Sequence, residues 1–118
     1  MSGLIFNVKS LLKENAIKQE LQERVEKNQA ALDSLVLADS NYFCPIKTGT
    51  LQKSAIINTR LGSGEIIWRT PYARRLYNEY ERPEHQANPN ATSKWFEAAK
   101  ARWLEKWVRL INERVKRS

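Results

Sequence analysis

Very few side chains in these 118 residues could carry chemistry. His85 is the only histidine and Cys44 the only cysteine. Proton transfer and metal binding usually draw on several such groups. His85 stands in a polar run beside Pro83 and Glu84, where an imidazole reads as a solvated loop residue. Cys44 lies between Phe43 and Pro45 with no base beside it, and reads as a small buried hydrophobe and not a nucleophile. Glu79, Glu81 and Glu84 are close enough in sequence for acid–base work, but a polar helix end accounts for them. The glycines, at 3, 49, 62 and 64, make no phosphate-binding loop. No cofactor, metal or catalytic residue is implied, and the expected mode of action is binding.

Charge is the stronger signal. The net charge is +7, and it is unevenly spread. Residues 9–39 carry five basic and six acidic side chains, residues 40–92 seven and four, and residues 93–118 eight and three. The basic excess therefore gathers at the C-terminal end, which suits an acidic partner, either nucleic acid or a protein surface.

The elements that must position these charges follow from periodicity. Leu4–Val8 is a short strand or the lead-in to a helix. A long N-terminal helix is expected from about Lys9 to Asp39, with a break near Asn15. Ile17, Leu21, Val25, Leu32, Leu35 and Val36 share one side of it. Asn28 and Asp39 lie on that stripe and read as edge or contact positions. Ser40–Leu51 contains Asn41, Pro45 and Gly49 and reads as loop. The β-branched runs Ser54–Arg60 and Glu65–Thr70, joined across Leu61–Gly64, predict a β-hairpin. Pro71 suits the first position of a short helix bearing Tyr72, Leu76, Tyr77 and Tyr80. Glu81–Thr92 reads as irregular, and Ser93 or Thr92 can cap a long last helix.

That last helix is amphipathic. Trp95, Phe96, Ala99, Trp103, Trp107, Leu110 and Ile111 form one apolar side; Lys94, Arg102, Lys106, Arg109 and Lys116 line the other. The tryptophans read as packing residues, and the basic side as solvent-facing and available for contact. The expected fold is α+β over residues 1–118 as a single domain. It has a long N-terminal helix, a small antiparallel sheet with a β-hairpin, a short helix and a long C-terminal amphipathic helix. A chain of this size buries roughly two thirds of its unfolded surface and folds without disulfides. It has no stretch of ~20 apolar residues that could span a bilayer. Met1–Val8 lacks the marks of a signal peptide, so retention in a reducing cytoplasm is expected.

The turn region has its own logic. Gly49 is expected at positive φ, a backbone closed to most residues with a Cβ. Thr48 and Thr50 can bond to the turning backbone, and Leu51 returns the chain to the core. Pro71 ends the sheet and starts the next helix.

The ordered set of segments Leu37–Pro45, Lys47–Ser54, Ile67–Tyr77 and Asn88–Lys100 resembles the minor capsid proteins of tailed phages of Gram-positive hosts, which are similar to the head–tail connector and tail-completion group. Tyr42, Pro45, Thr48, Gly49, Leu51, Ser54, Pro71, Tyr72, Ala73, Tyr77, Trp95 and Ala99 stand at matching places, over roughly residues 20–110. The resemblance implies a structural virion protein of the phage neck, made in the host cytoplasm and joining the capsid portal to the tail. It implies a homo-oligomeric ring that touches portal-side and tail-side proteins, and a chain that is monomeric until a template is present. A ring needs two different patches on each subunit. Arg102, Lys106 and Arg109 on one side, with Asn28 and Asp39 on the slightly acidic helix, are the candidate interface residues. The alternative is a small basic nucleic-acid-binding protein or ribonuclease-type toxin.

Overall fold

In the computed structural model the described residues are 3–11, 27–46, 49–81, 83 and 86–117. Two strands, β1 (Leu4–Asn7) and β2 (Glu65–Trp68), pair antiparallel with Leu4 opposite Trp68 and Phe6 opposite Ile66. Alternation puts Leu4, Phe6, Ile66 and Trp68 on the core side and leaves the Ile5–Ile67 pair on the outer one. The Val8 N–H donates to Gly64 O at 2.7 Å and extends the ladder beyond the strands.

Around this ribbon pack the helices α1 (Gln29–Tyr42), α2 (Thr50–Asn58), α3 (Ala73–Glu79) and α4 (Trp95–Arg117). α1 and α4 form the most extensive contact between elements. They run antiparallel: Asn28 meets Arg114, Asp39 meets Trp107 and Tyr42 meets Trp103. Leu32 and Val36 from α1 and Trp107, Ile111 and Val115 from α4 are buried. Trp68 and Trp95 are both fully buried and meet edge to face, with Phe6 and Tyr77 around them. Each such side chain contributes roughly 1.5–3 kcal/mol by leaving water.

The α+β class, the small antiparallel sheet and the long C-terminal helix are as expected. The expected hairpin is not. The run Ser54–Arg60 is helical through Asn58, and β2 pairs instead with β1. The reason is visible at the far edge of β2. Ser54 Oγ accepts the Arg69 N–H at 3.1 Å, and Thr59 Oγ1 accepts the Ile67 N–H at 3.0 Å. Side chains from α2 and its end thus satisfy the edge that a hairpin partner would have filled. Leu51, Ser54 and Ala55, at helical spacing, are the buried side of α2. Tertiary burial overrides the β preference of Ile56 and Ile57.

Other boundaries move by a few residues. The N-terminal helix is seen as α1, which continues past Asp39 to Tyr42; residues 12–26 of the expected helix, with its break, lie outside the described residues. Pro71 precedes α3 without opening it. It occupies the second position of a turn closed by the Ala73 N–H to Thr70 O at 3.2 Å, and Tyr72 is the cap residue. α4 begins after Lys94, at φ 50°, not directly after Ser93 or Thr92. The Lys94 N–H donates to Tyr77 O at 2.8 Å, which fixes the start of α4 to the end of α3.

Candidate interaction surface

The middle of α4 and the end of α1 build one surface. Tyr42, Phe43 and Trp103 make an aromatic cluster, with Trp103 5.3 Å from Tyr42 and 5.5 Å from Phe43 between ring centroids. Arg102 Cζ sits 4.9 Å from the Trp103 ring centroid and 5.9 Å from that of Tyr42. Lys106 Nζ sits 4.8 Å from the Trp103 ring. Cations over indole faces gain about 0.5–1 kcal/mol at exposed sites. The arrangement therefore holds two long basic side chains in place at a partly solvated aromatic platform. Arg102 and Tyr42 are exposed, as is Arg109 two turns further along α4.

The five candidate interface residues divide into two groups. Arg102 and Arg109 face solvent. Lys106 pairs with Asp39 of its own chain at 2.7 Å, and Asp39 also accepts the Trp107 indole N–H at 2.6 Å. Asn28 is buried, and its Oδ1 accepts from Arg114 Nε at 3.2 Å. Asp39, Asn28 and Lys106 thus join α1 to α4 within one subunit. For Asn28 and Asp39, their place on the apolar stripe of the N-terminal helix carried that signal, since polar groups on a buried stripe need partners across the contact.

The turn motif is assembled just beyond the same, C-terminal end of α1. Gly49 has φ 82° and caps α2, as its position required, while Thr48 lies outside the described residues. Pro45, Leu51, Ala73 and Trp95 are buried, and Ser54 Oγ donates to Leu51 O at 2.6 Å while accepting from Arg69. Pro71 is exposed and Tyr72 half-buried in the turn before α3.

Cys44 is fully buried, and desolvation pushes its thiol far above the ordinary range, away from the reactive thiolate. Glu79 and Glu81 are exposed; Glu84 and His85 lie outside the described residues. Among the described residues no group of His, Cys, Asp and Glu could hold a metal ion, and no helix is long and apolar enough to cross a membrane.

A sequence model of the minor capsid protein family matches residues 8–114. The chain belongs to the minor capsid protein family. No curated protein and no solved structure matches it. The family match runs from Val8, the residue after β1, to Arg114 in the last turn of α4, beyond the residues that carry the motif resemblance. A minor capsid protein is a structural component of the bacteriophage virion, and its work is to contact other virion proteins.

Several residues that set its geometry were not legible in advance. Asn41 accepts the Trp68 indole N–H at 2.9 Å, and exchanges hydrogen bonds with Gln52, which also donates to Cys44 O. Asn88, buried in the irregular segment before α4, donates to Tyr42 O and Cys44 O at 2.9 and 2.8 Å. Gln86 Oε1 accepts the Ile46 N–H at 2.7 Å. These amides tie the loops to the end of α1. Their partners are backbone atoms and, for Asn41, the Trp68 indole, all distant enough in sequence that no local spacing gives a signal.

Proposed function

We propose that this minor capsid protein is a neck component of a tailed phage of Gram-positive bacteria, a ring of copies that joins the capsid portal to the tail. The isolated chain is monomeric until a template is present, and assembly takes place in the host cytoplasm. One observation carries the proposal furthest. Arg102 and Arg109 are presented to solvent on a helix whose other side is locked into the core by Trp95, Trp107 and Ile111. A rigid helix with a free basic side and an exposed aromatic neighbour, Tyr42, suits docking against an acidic surface of another virion protein. Charge there sets orientation and encounter rate, and aromatic anchors supply affinity. Asp39, Asn28 and Lys106 support this contact from within by fixing the angle of α4 on α1.

The role in joining heads to tails is tested by removing the protein from an infection. A lysate without it should hold filled heads and free tails that do not join, and adding the purified protein should restore joining. Complete, infectious particles in its absence would contradict the reading. The nucleic-acid alternative would show itself as DNA or RNA binding by the isolated chain that weakens steeply with salt.

A further inference from the structure

A groove of about 960 Å³ lies between the first turn of α2, α3 and the segment after α3. Leu51, Leu76 and Tyr80 give it an apolar wall. Among the described residues three charged side chains line it, two acidic, Glu79 and Glu81, and one basic, Arg75, and all three are exposed. A groove of this volume holds several aliphatic side chains.

The other end of α2 has the opposite character. Ile56, Ile57 and Leu61 are 64%, 79% and 53% exposed. Single exposed aliphatics are ordinary, but three within one helix end and its following turn make a patch. Because Leu51, Ser54 and Ala55 turn inward, Ile56 and Ile57 project away from the core. Lys53 and Arg60 flank them, and both are exposed. The chain thus carries an aliphatic projection with a basic border and an apolar groove with an acidic border.

We infer that the Ile56–Leu61 projection of one copy seats in the Leu51–Leu76–Tyr80 groove of a second copy of this chain. The inference rests on the ring reading above and names the surfaces through which neighbouring subunits meet. Lys53 and Arg60 of one subunit come to Glu79 and Glu81 of the next. The two patches differ, so the contact is heterologous and repeats head to tail. The match in both polarity and charge, on a single chain, selects a second copy over a foreign partner. It also leaves the basic side of α4 free for a protein above or below the ring.

Charge reversal and its rescue test this. Lys53→Glu with Arg60→Glu should lower incorporation into particles by about tenfold or more, and Glu79→Lys with Glu81→Lys should do the same. All four changes combined in one chain should restore incorporation, because identical copies then present complementary borders again. Ile57→Asp, at an exposed position, should keep the circular dichroism spectrum and lose incorporation. Normal incorporation of either charge-reversed pair, or a folded quadruple variant that is still excluded, overturns the inference. Imaging separates the two levels. A ring at the neck in wild-type particles, with no rescue by the quadruple variant, sinks the inference and leaves the neck reading standing. Rescue with the copies located elsewhere in the particle keeps the copy-to-copy contact and sinks the neck reading.

Discussion

Lys106 Nζ lies 2.7 Å from Asp39 Oδ2 of its own chain, and the same carboxylate oxygen accepts the Trp107 indole N–H. Asp39 therefore holds α1 to α4 by two bonds, one to a half-exposed ammonium and one to a fully buried indole. The second matters more for stability. A half-exposed ion pair contributes about 0–1 kcal/mol, whereas leaving a buried donor without its acceptor costs about 1–3 kcal/mol. Asp39→Ala should destabilise the fold by about 1–3 kcal/mol in denaturant titration. Lys106→Ala should change it by no more than about 1 kcal/mol. Equal costs for the two substitutions would show that the indole bond has been overvalued.

Gly49 turns the chain into α2 at φ 82°. A β-branched residue there is strained whatever space surrounds it. Gly49→Val should lower stability by about 1–3 kcal/mol. An unchanged melting temperature would mean that the turn has another low-energy path.

The helical state of residues 50–58 can be checked from its surface. Ile57 is 79% exposed on α2, so Ile57→Ala removes almost no packing and replaces a β-branched residue by the best helix former. Stability of the isolated chain should hold steady or rise by a few tenths of a kcal/mol. A loss of about 1 kcal/mol would instead favour an extended conformation for this segment.

The helix at 50–58 is also where the sequence misleads, and the reason is physical. Its β-branched residues sit at positions that the isolated chain leaves in water, so local preference and burial point different ways. Where they agree the sequence is legible. Trp95, Ala99, Trp107 and Ile111 lie on the buried side of α4 as their spacing requires, and Gly49 takes the backbone that only the turn demanded. The division of the basic residues was only half legible. Arg102 and Arg109 face solvent, but nothing in the spacing of Lys106 announces Asp39, 67 positions earlier, as its partner. The amides of Asn41, Gln86 and Asn88 are silent in the sequence for the same reason.

Cys44 sets a pH dependence. Burial raises its folded-state pKa above the unfolded value, so the folded chain keeps a proton that the unfolded chain releases. The stability of the fold is then unaffected by this group below the ordinary thiol range. It falls as pH rises above about 9, by at most about 1.4 kcal/mol per pH unit. Cys44→Ala should remove that part of the slope in stability measured between neutral and alkaline pH. An identical slope in the variant would assign the loss to other groups.

The minor capsid protein family is a structural one, and Cys44 is held protonated, away from the thiolate that a nucleophile needs. Purified protein should leave RNA and DNA intact, and His85→Ala should change nothing in that assay. Cleavage that disappears with His85→Ala would move the account toward a nuclease.

On the proposed reading, the exposed basic side of α4 docks this minor capsid protein against another virion protein. Arg102→Glu combined with Arg109→Glu tests this docking, since both side chains are exposed and neither is hydrogen-bonded or ion-paired across α1 and α4 as Lys106 and Arg114 are. The measurement is a particle-completion assay beside circular dichroism of the purified variant. The predicted result is a native spectrum, a stability loss of no more than about 1 kcal/mol from the Arg102 cation–π contacts, and heads that fail to join tails. Infectious particles at wild-type yield from the folded double variant would contradict the claim.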